Sequence, residues 1–317
     1  LYVPDSDKKE VARAAQLAKS DLSSGMVGEF AELQGLMGRY YALNDGETVA
    51  VADAIAEHYA PQGPKDNSPK APISICLAIA DKIDNLVGLF AINQRPTGSK
   101  DPFALRRAAL GVIRIVLENR LRIPLVTVFS KAHTLFSIGK NPADDLLVFF
   151  TERLKVHLKE QDIAHDSIEA VFTSDDEDDL VRMYDRINAL TDFLATCDGE
   201  NLLSAYRRAV NILRIEEKND GRTFEGEVQE DLLVQSDEKV LYEKLIQADM
   251  AIVDAMKRED FDVAMAAVAA LRGPVDAFFE CVTVNVEQKD LRENRLRLLN
   301  QIRGALDGIA NFSKIER

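Results

Sequence analysis

The residues of this 317-residue chain best placed to do chemistry lie between Arg95 and Arg122. That stretch holds seven basic residues (Arg95, Lys100, Arg106, Arg107, Arg114, Arg120, Arg122) against two acidic ones (Asp101, Glu118), a local balance of +5 in a chain of net charge −14. A cationic element on an acidic chain points to a local anionic partner. The acidic whole argues against broad, sequence-blind nucleic-acid binding. Gly98-Ser99-Lys100 ahead of a helix resembles half of a phosphate-binding loop, without that motif's earlier glycine. The alternative is a tight turn before a capped helix. A second basic cluster, Lys289, Arg292, Arg295, Arg297 and Arg303, outnumbers Asp290 and Glu293. Arg292 and Arg295 are three apart and share a helix face. They can meet an anion, or pair with the acidic surface while their stems pack.

Other chemistry is poorly supported. H-E-x-x-H, C-x-x-C and G-x-G-x-x-G patterns are all missing. The four histidines (His58, His133, His157, His165) lack partners at helical ligand spacing. A His-Asp metal site using Asp45, His58 and Asp81 would need an imidazole where Asn44 stands, and Asn is a weak, neutral donor. No catalytic or metal residue is therefore assigned. Cys76, Cys197 and Cys281 are few and scattered, which fits a reducing cytosol and small buried thiols. Asp175-Asp176-Glu177-Asp178-Asp179 is expected to be a solvated loop or helix start. The chain opens on Leu1-Tyr2-Val3-Pro4-Asp5, which reads as an internal boundary, so a C-terminal portion of a longer polypeptide is expected.

The elements that must position these residues read as helices throughout, so the expected class is all-α. Asp7–Ser20, Leu22–Leu43, Thr48–Tyr59 and Pro72–Phe90 carry apolar residues at helical spacing, and residues 60–72, with four prolines, form a loop. Asp101 is placed as N-cap and Pro102 at the first position of the next helix. Its buried stripe is Leu105, Ala109, Val112, Ile113 and Val116. Arg107 and Arg114, seven apart, point nearly the same way. Helices continue from Val126 to Leu190. Ser204–Leu213, Asp237–Lys257, Phe261–Leu271, Val275–Phe279 and Asp290–Phe312 follow, with a charged loop over Glu216–Asp231 and a break at Gly273-Pro274.

Three ordered stretches carry a family likeness: Met26–Ala42, Glu57-His58-Tyr59-Ala60-Pro61 with Ile79–Asp84, and Pro96–Ile115. Together they resemble the β subunit of the bacterial heterotetrameric glycyl-tRNA synthetase. Val275–Asn285 and Arg292–Leu299, with Ala209–Leu213, resemble the helical anticodon-binding (DALR-type) domain shared with arginyl-type synthetases.

The resemblance implies an HD-like helical domain over 1–125 with a degenerate metal site, a helical linker over 126–200 and an anticodon-binding bundle over 201–317. It implies an α2β2 cytoplasmic ligase that joins glycine to its tRNA with ATP and Mg2+, its catalytic core on the α subunit. This chain would hold no cofactor and would recognise tRNA(Gly). Lys100, Arg106, Arg107 and Arg114 are the candidates for tRNA backbone contact, and Arg292, Asn294 and Arg295 for the anticodon. Asn294 and Arg295 have an equal claim to holding the bundle together. An HD-type metal-dependent phosphohydrolase and a non-catalytic protein-docking module are the rival readings.

Overall fold

The computed structural model describes residues 2–136, 139–172 and 177–316. Among them there is no sheet, and the secondary structure is helical, as the periodicity indicates. The chain divides into two compact units, Leu1–Gln161 with Glu177–Val181, and Asp162–Asp176 with Arg182–Arg317. Residues 126–200, expected as a linker, are thus shared out between the units rather than standing apart.

The first unit holds α1 (Lys8–Leu17), α2 (Gly25–Glu29), α3 (Leu36–Asn44), α4 (Val49–Glu57), α5 (Pro72–Ala91), α6 (Leu105–Glu118), α7 (Leu125–His133) and α8 (Ala143–Glu160). α5 packs against α1, α4, α6, α7 and α8. Its apolar residues are buried on most sides, from Ile73 to Ala91. Small residues (Ala14, Ala18, Ala42, Ala52, Ala54) let α1, α3 and α4 approach closely around Val51 and Ile55. Asp7 and Thr48 cap α1 and α4 with their side chains.

The single helix expected over Leu22–Leu43 is instead broken into short pieces. Gly35 sits at φ +77°, a conformation that ends helical winding and that L side chains rarely adopt. The buried Asp21 carboxylate then accepts from the Gly35 and Gly38 N–H groups at 2.6 and 3.1 Å. It supplies the cap that a glycine N-cap lacks.

The described end of the acidic run, Glu177–Asp179, is the loop that leads into the helix starting at Leu180, as expected, and its carboxylates are engaged. Asp175 and Asp176 lie outside the described residues. The Asp178 carboxylate accepts from Val126 N–H at 3.0 Å, capping α7, whose own N-cap is Pro124. Asp179 pairs with Arg122. A carboxylate at a helix N-terminus is favoured by the exposed N–H groups and the dipole.

The second unit contains α9 (His165–Val171), most of α10 (Leu180–Leu194), α11 (Cys197–Asp220), α12 (Ser236–Arg258), α13 (Phe261–Ala269), α14 (Arg272–Cys281) and α15 (Lys289–Asp307). α11 lies against α14 and α15, and α12 against α13, α14 and α15. The expected charged loop begins late, because α11 runs on to Asp220 and stops at Gly221 in the left-handed region. Gly273-Pro274 is no break. Both residues lie in the first turn of α14, where the missing proline N–H needs no helical partner. Cys197 and Cys281 are exposed rather than buried, and Cys76 is half-buried, its thiol pushed up by burial.

Candidate nucleic-acid interface

The basic stretch is built outward from a turn. Thr97 and Lys100 exchange both backbone hydrogen bonds, at 3.0 and 2.8 Å, closing Gly98 and Ser99 into a tight turn. α6 starts at Leu105, three residues later than expected, because Ala104 adopts φ +55°. Asp101 still caps the helix, from outside it: its two carboxylate oxygens accept from Leu105 N–H (2.8 Å) and Arg106 N–H (3.0 Å). The Arg106 guanidinium reaches back to the Gly98 carbonyl at 2.8 Å and ties the turn to the helix.

The four backbone-contact candidates therefore separate. Arg114 is mostly covered: its guanidinium donates to the carbonyls of Gly63 (3.0 Å) and Asp66 (2.7 Å) and pairs with Glu118 at 3.0 Å. It anchors the proline-rich loop and so is committed to the fold, unlike the exposed Arg107 with which it was expected to share a direction. Arg106 is half-buried and joined to the turn. Lys100 and Arg107 are exposed and make no ion pair among the described residues. Phe103, 50% exposed, lies beside them in sequence.

The three anticodon candidates share one setting, engaged within the bundle, which for Asn294 and Arg295 is the second of the two expected roles. Asn294 is buried and makes two hydrogen bonds with the Gln229 backbone, accepting from N–H (2.7 Å) and donating to C=O (3.0 Å). Arg295 is buried, paired with the fully buried Glu238 and bonded to the Thr283 carbonyl at 2.8 Å. Glu238 also accepts from Gln235 N–H at 2.7 Å in a capping box that starts α12. Arg292 is clamped by Glu216 and Asp220, donates from Nε to the Asn285 Oδ1 at 2.9 Å, and has its pKa raised by those two carboxylates. All three hold the bundle together. A readable signal marked Arg295: it stands in register with Leu299, Ile302 and Leu306 on the buried stripe of α15.

The residues of the degenerate metal site are not gathered for a metal. His58 is fully buried, with Nδ1 2.7 Å from the Ile55 carbonyl. Nδ1 is therefore the protonated nitrogen, and burial depresses the ring's pKa. Asp81 pairs with Lys19, and the Asn44 amide turns to Asp45 at 3.4 Å. Beside His58, the buried Lys82 ammonium donates to the carbonyls of His58, Tyr59 and Ala60 at 3.1, 3.2 and 2.9 Å. Desolvation pulls the Lys82 pKa down to about 8. A buried cation at this place is opposed to a divalent metal. Among the described residues no group of three His, Cys, Asp or Glu side chains comes together.

One exposed surface was missed in the sequence. Along α11, Asn201, Ser204, Arg208, Asn211, Ile215 and Lys218 recur at helical spacing and are all exposed. Arg208 lies over the ring of Phe279 from α14, its guanidinium carbon 4.3 Å from the centroid. The signal is the polar face of α11, which shows only when the helix is followed over its 24 residues rather than over Ser204–Leu213.

The fold and site define an all-helical protein of two units whose charged pairs mostly serve internal order, with a few cations left on outer faces. Residues 202–315 match the DALR anticodon binding domain. Residues 2–173, more than half of the chain, match the family described as glycyl-tRNA synthetase beta subunit, and the chain belongs to that family. Similar relatives include the glycine–tRNA ligase beta subunits of Rhodospirillum centenum, 50% identical over 97% of this chain and 44% of that protein, and of Paracoccus denitrificans, 49% identical over 100% of this chain and 45% of that protein. The chain thus spans less than half the length of these relatives. No helix among the described residues is long and apolar enough to cross a membrane.

Proposed function

We propose that this chain is the tRNA-recognition portion of a glycyl-tRNA synthetase β subunit. It would act in the cytoplasm within an α2β2 assembly, supporting ATP- and Mg2+-dependent glycylation of tRNA(Gly) at a catalytic site on the α subunit. The observation that carries this reading is the anticodon-binding domain match over residues 202–315 in a chain of this family. The exposed Lys100 and Arg107 beside the tight turn support the second half of it, contact with tRNA phosphates. Metal-dependent phosphohydrolysis is disfavoured by the Lys82 ammonium and by the engaged Asp81. A module that only docks proteins would leave the family's anticodon-binding domain without a role.

The test is tRNA binding by this chain across a salt series. Preference for tRNA(Gly) over an unrelated tRNA, with affinity falling as salt rises, is the expected result. Equal binding of both tRNAs would overturn the anticodon assignment.

A further inference from the structure

The face of α11 and the adjoining edge of α14 form a shallow groove divided by the Arg208–Phe279 stack. On one side lies a cavity of about 220 Å³ bordered by Asn201, Ser204 and Asp276. On the other lies a cavity of about 370 Å³ bordered by Ile215, Thr283 and Asn285. Arg208, Phe279 and Glu280 line both. Arg208 is exposed and makes no ion pair among the described residues, although the chain is rich in acids. One face of its guanidinium covers Phe279, so the outer face is left to solvent. Ile215, 52% exposed, adds an apolar surface one cavity away.

A planar cation backed by an aromatic ring and set between two small recesses is suited to an unpaired nucleobase. Single-stranded bases stack on guanidinium planes and on aromatic rings, and each has a π-face to offer. Glu280 refines the choice. It is exposed, repels phosphate and accepts hydrogen bonds only. A base edge with an exocyclic amine can donate to it through that group, whereas uracil offers only its ring N3–H.

We propose that the Arg208–Phe279 stack is where this domain seats one unpaired RNA base, lying on the outer face of Arg208 with its exocyclic amine donating to Glu280. The inference rests on the tRNA reading above and names the residues that would carry it.

The experiment measures binding of fluorescent anticodon stem-loop RNA of tRNA(Gly), and of a loop-scrambled control, to the whole chain. Arg208→Ala and Arg208→Lys are each expected to weaken binding roughly five- to hundredfold, with Phe279→Leu also weaker. Lysine keeps the charge but loses the stacking plane, so the salt slope of Arg208→Lys should match wild type. Loop bases are then replaced singly by uracil. One position should cost wild type roughly tenfold, and Glu280→Gln should remove that penalty. Wild-type binding by Arg208→Lys would overturn the stacking role, and an unchanged uracil penalty in Glu280→Gln would overturn the edge contact. If wild type binds the stem-loop no better than the scrambled control, the tRNA reading itself falls. If it prefers the stem-loop and the variants match wild type, only this groove is wrong.

Discussion

Arg295 on α15 donates to the carboxylate of Glu238 on α12, and both side chains are withdrawn from solvent. Two charges placed there are tolerable only because each is also hydrogen-bonded, Arg295 to the Thr283 carbonyl and Glu238 to the Gln235 N–H. Removing one partner strands the other. Arg295→Ala or Glu238→Ala should therefore lower stability by about 3–5 kcal/mol in urea unfolding, and the apolar pair Arg295→Met with Glu238→Leu should recover most of it. Equal losses in the double replacement and the single ones would show that the bundle needs the ions themselves.

Arg107 and Arg292 should behave as opposites. Arg107→Ala is expected to shift stability by less than about 0.5 kcal/mol. It should weaken tRNA binding and reduce the salt slope by about one. Arg292→Ala removes bonds to Glu216, Asp220 and Asn285, and should cost about 1.5–3 kcal/mol of stability. Parallel denaturation and anisotropy measurements on the two variants separate the roles.

Lys82 gives the first unit an alkaline signature. Its folded pKa is about 8, against an ordinary value of 10.5. Below pH 8 both states hold the proton and the cost of burying the charge is fully present. Between pH 8 and 10.5 the unfolded chain binds more protons than the folded one, so stability rises with pH. Wild type should gain up to about 3 kcal/mol on Lys82→Met across that window, read from paired urea melts. A flat difference would mean that Lys82 titrates normally.

Gly111 in α6 faces that lysine. A Cβ there would lie 2.8 Å from Lys82 Cε and 3.4 Å from the Pro61 carbonyl oxygen. Gly→Ala inside a helix ordinarily stabilises by about 1 kcal/mol. Here the crowded stem is held at its far end by three carbonyls, so Gly111→Ala should lower the melting temperature, and Gly111→Ala with Lys82→Met should restore it.

How far the sequence could be read is clearest in individual residues. Asp7 and Thr48 open two of the expected helices, and in the structure each is the side-chain cap just outside the first turn. Asp101 was legible as a cap but not in place, since the left-handed Ala104 inserts a kink that propensity does not announce. Glu216 and Asp220 looked like loop residues by composition. They lie in a helix that runs on to Asp220, where Arg292, 76 and 72 positions away, neutralises them, and such pairings are invisible to local pattern. Asn294 and Arg295 were singled out by chemical type, and type says nothing of facing. The spacing from Arg295 to Leu299 and Ile302 held the answer. Arg208 escaped notice because its partner, Phe279, comes from a different helix.

Lys82 also has a consequence for chemical labelling. The same burial that lowers its pKa keeps reagents away from its amine. An amine-reactive probe would thus modify it only in moments when the end of α4 and the start of the proline loop part from α5. The rate of acylation at this one position would serve as a clock for local opening.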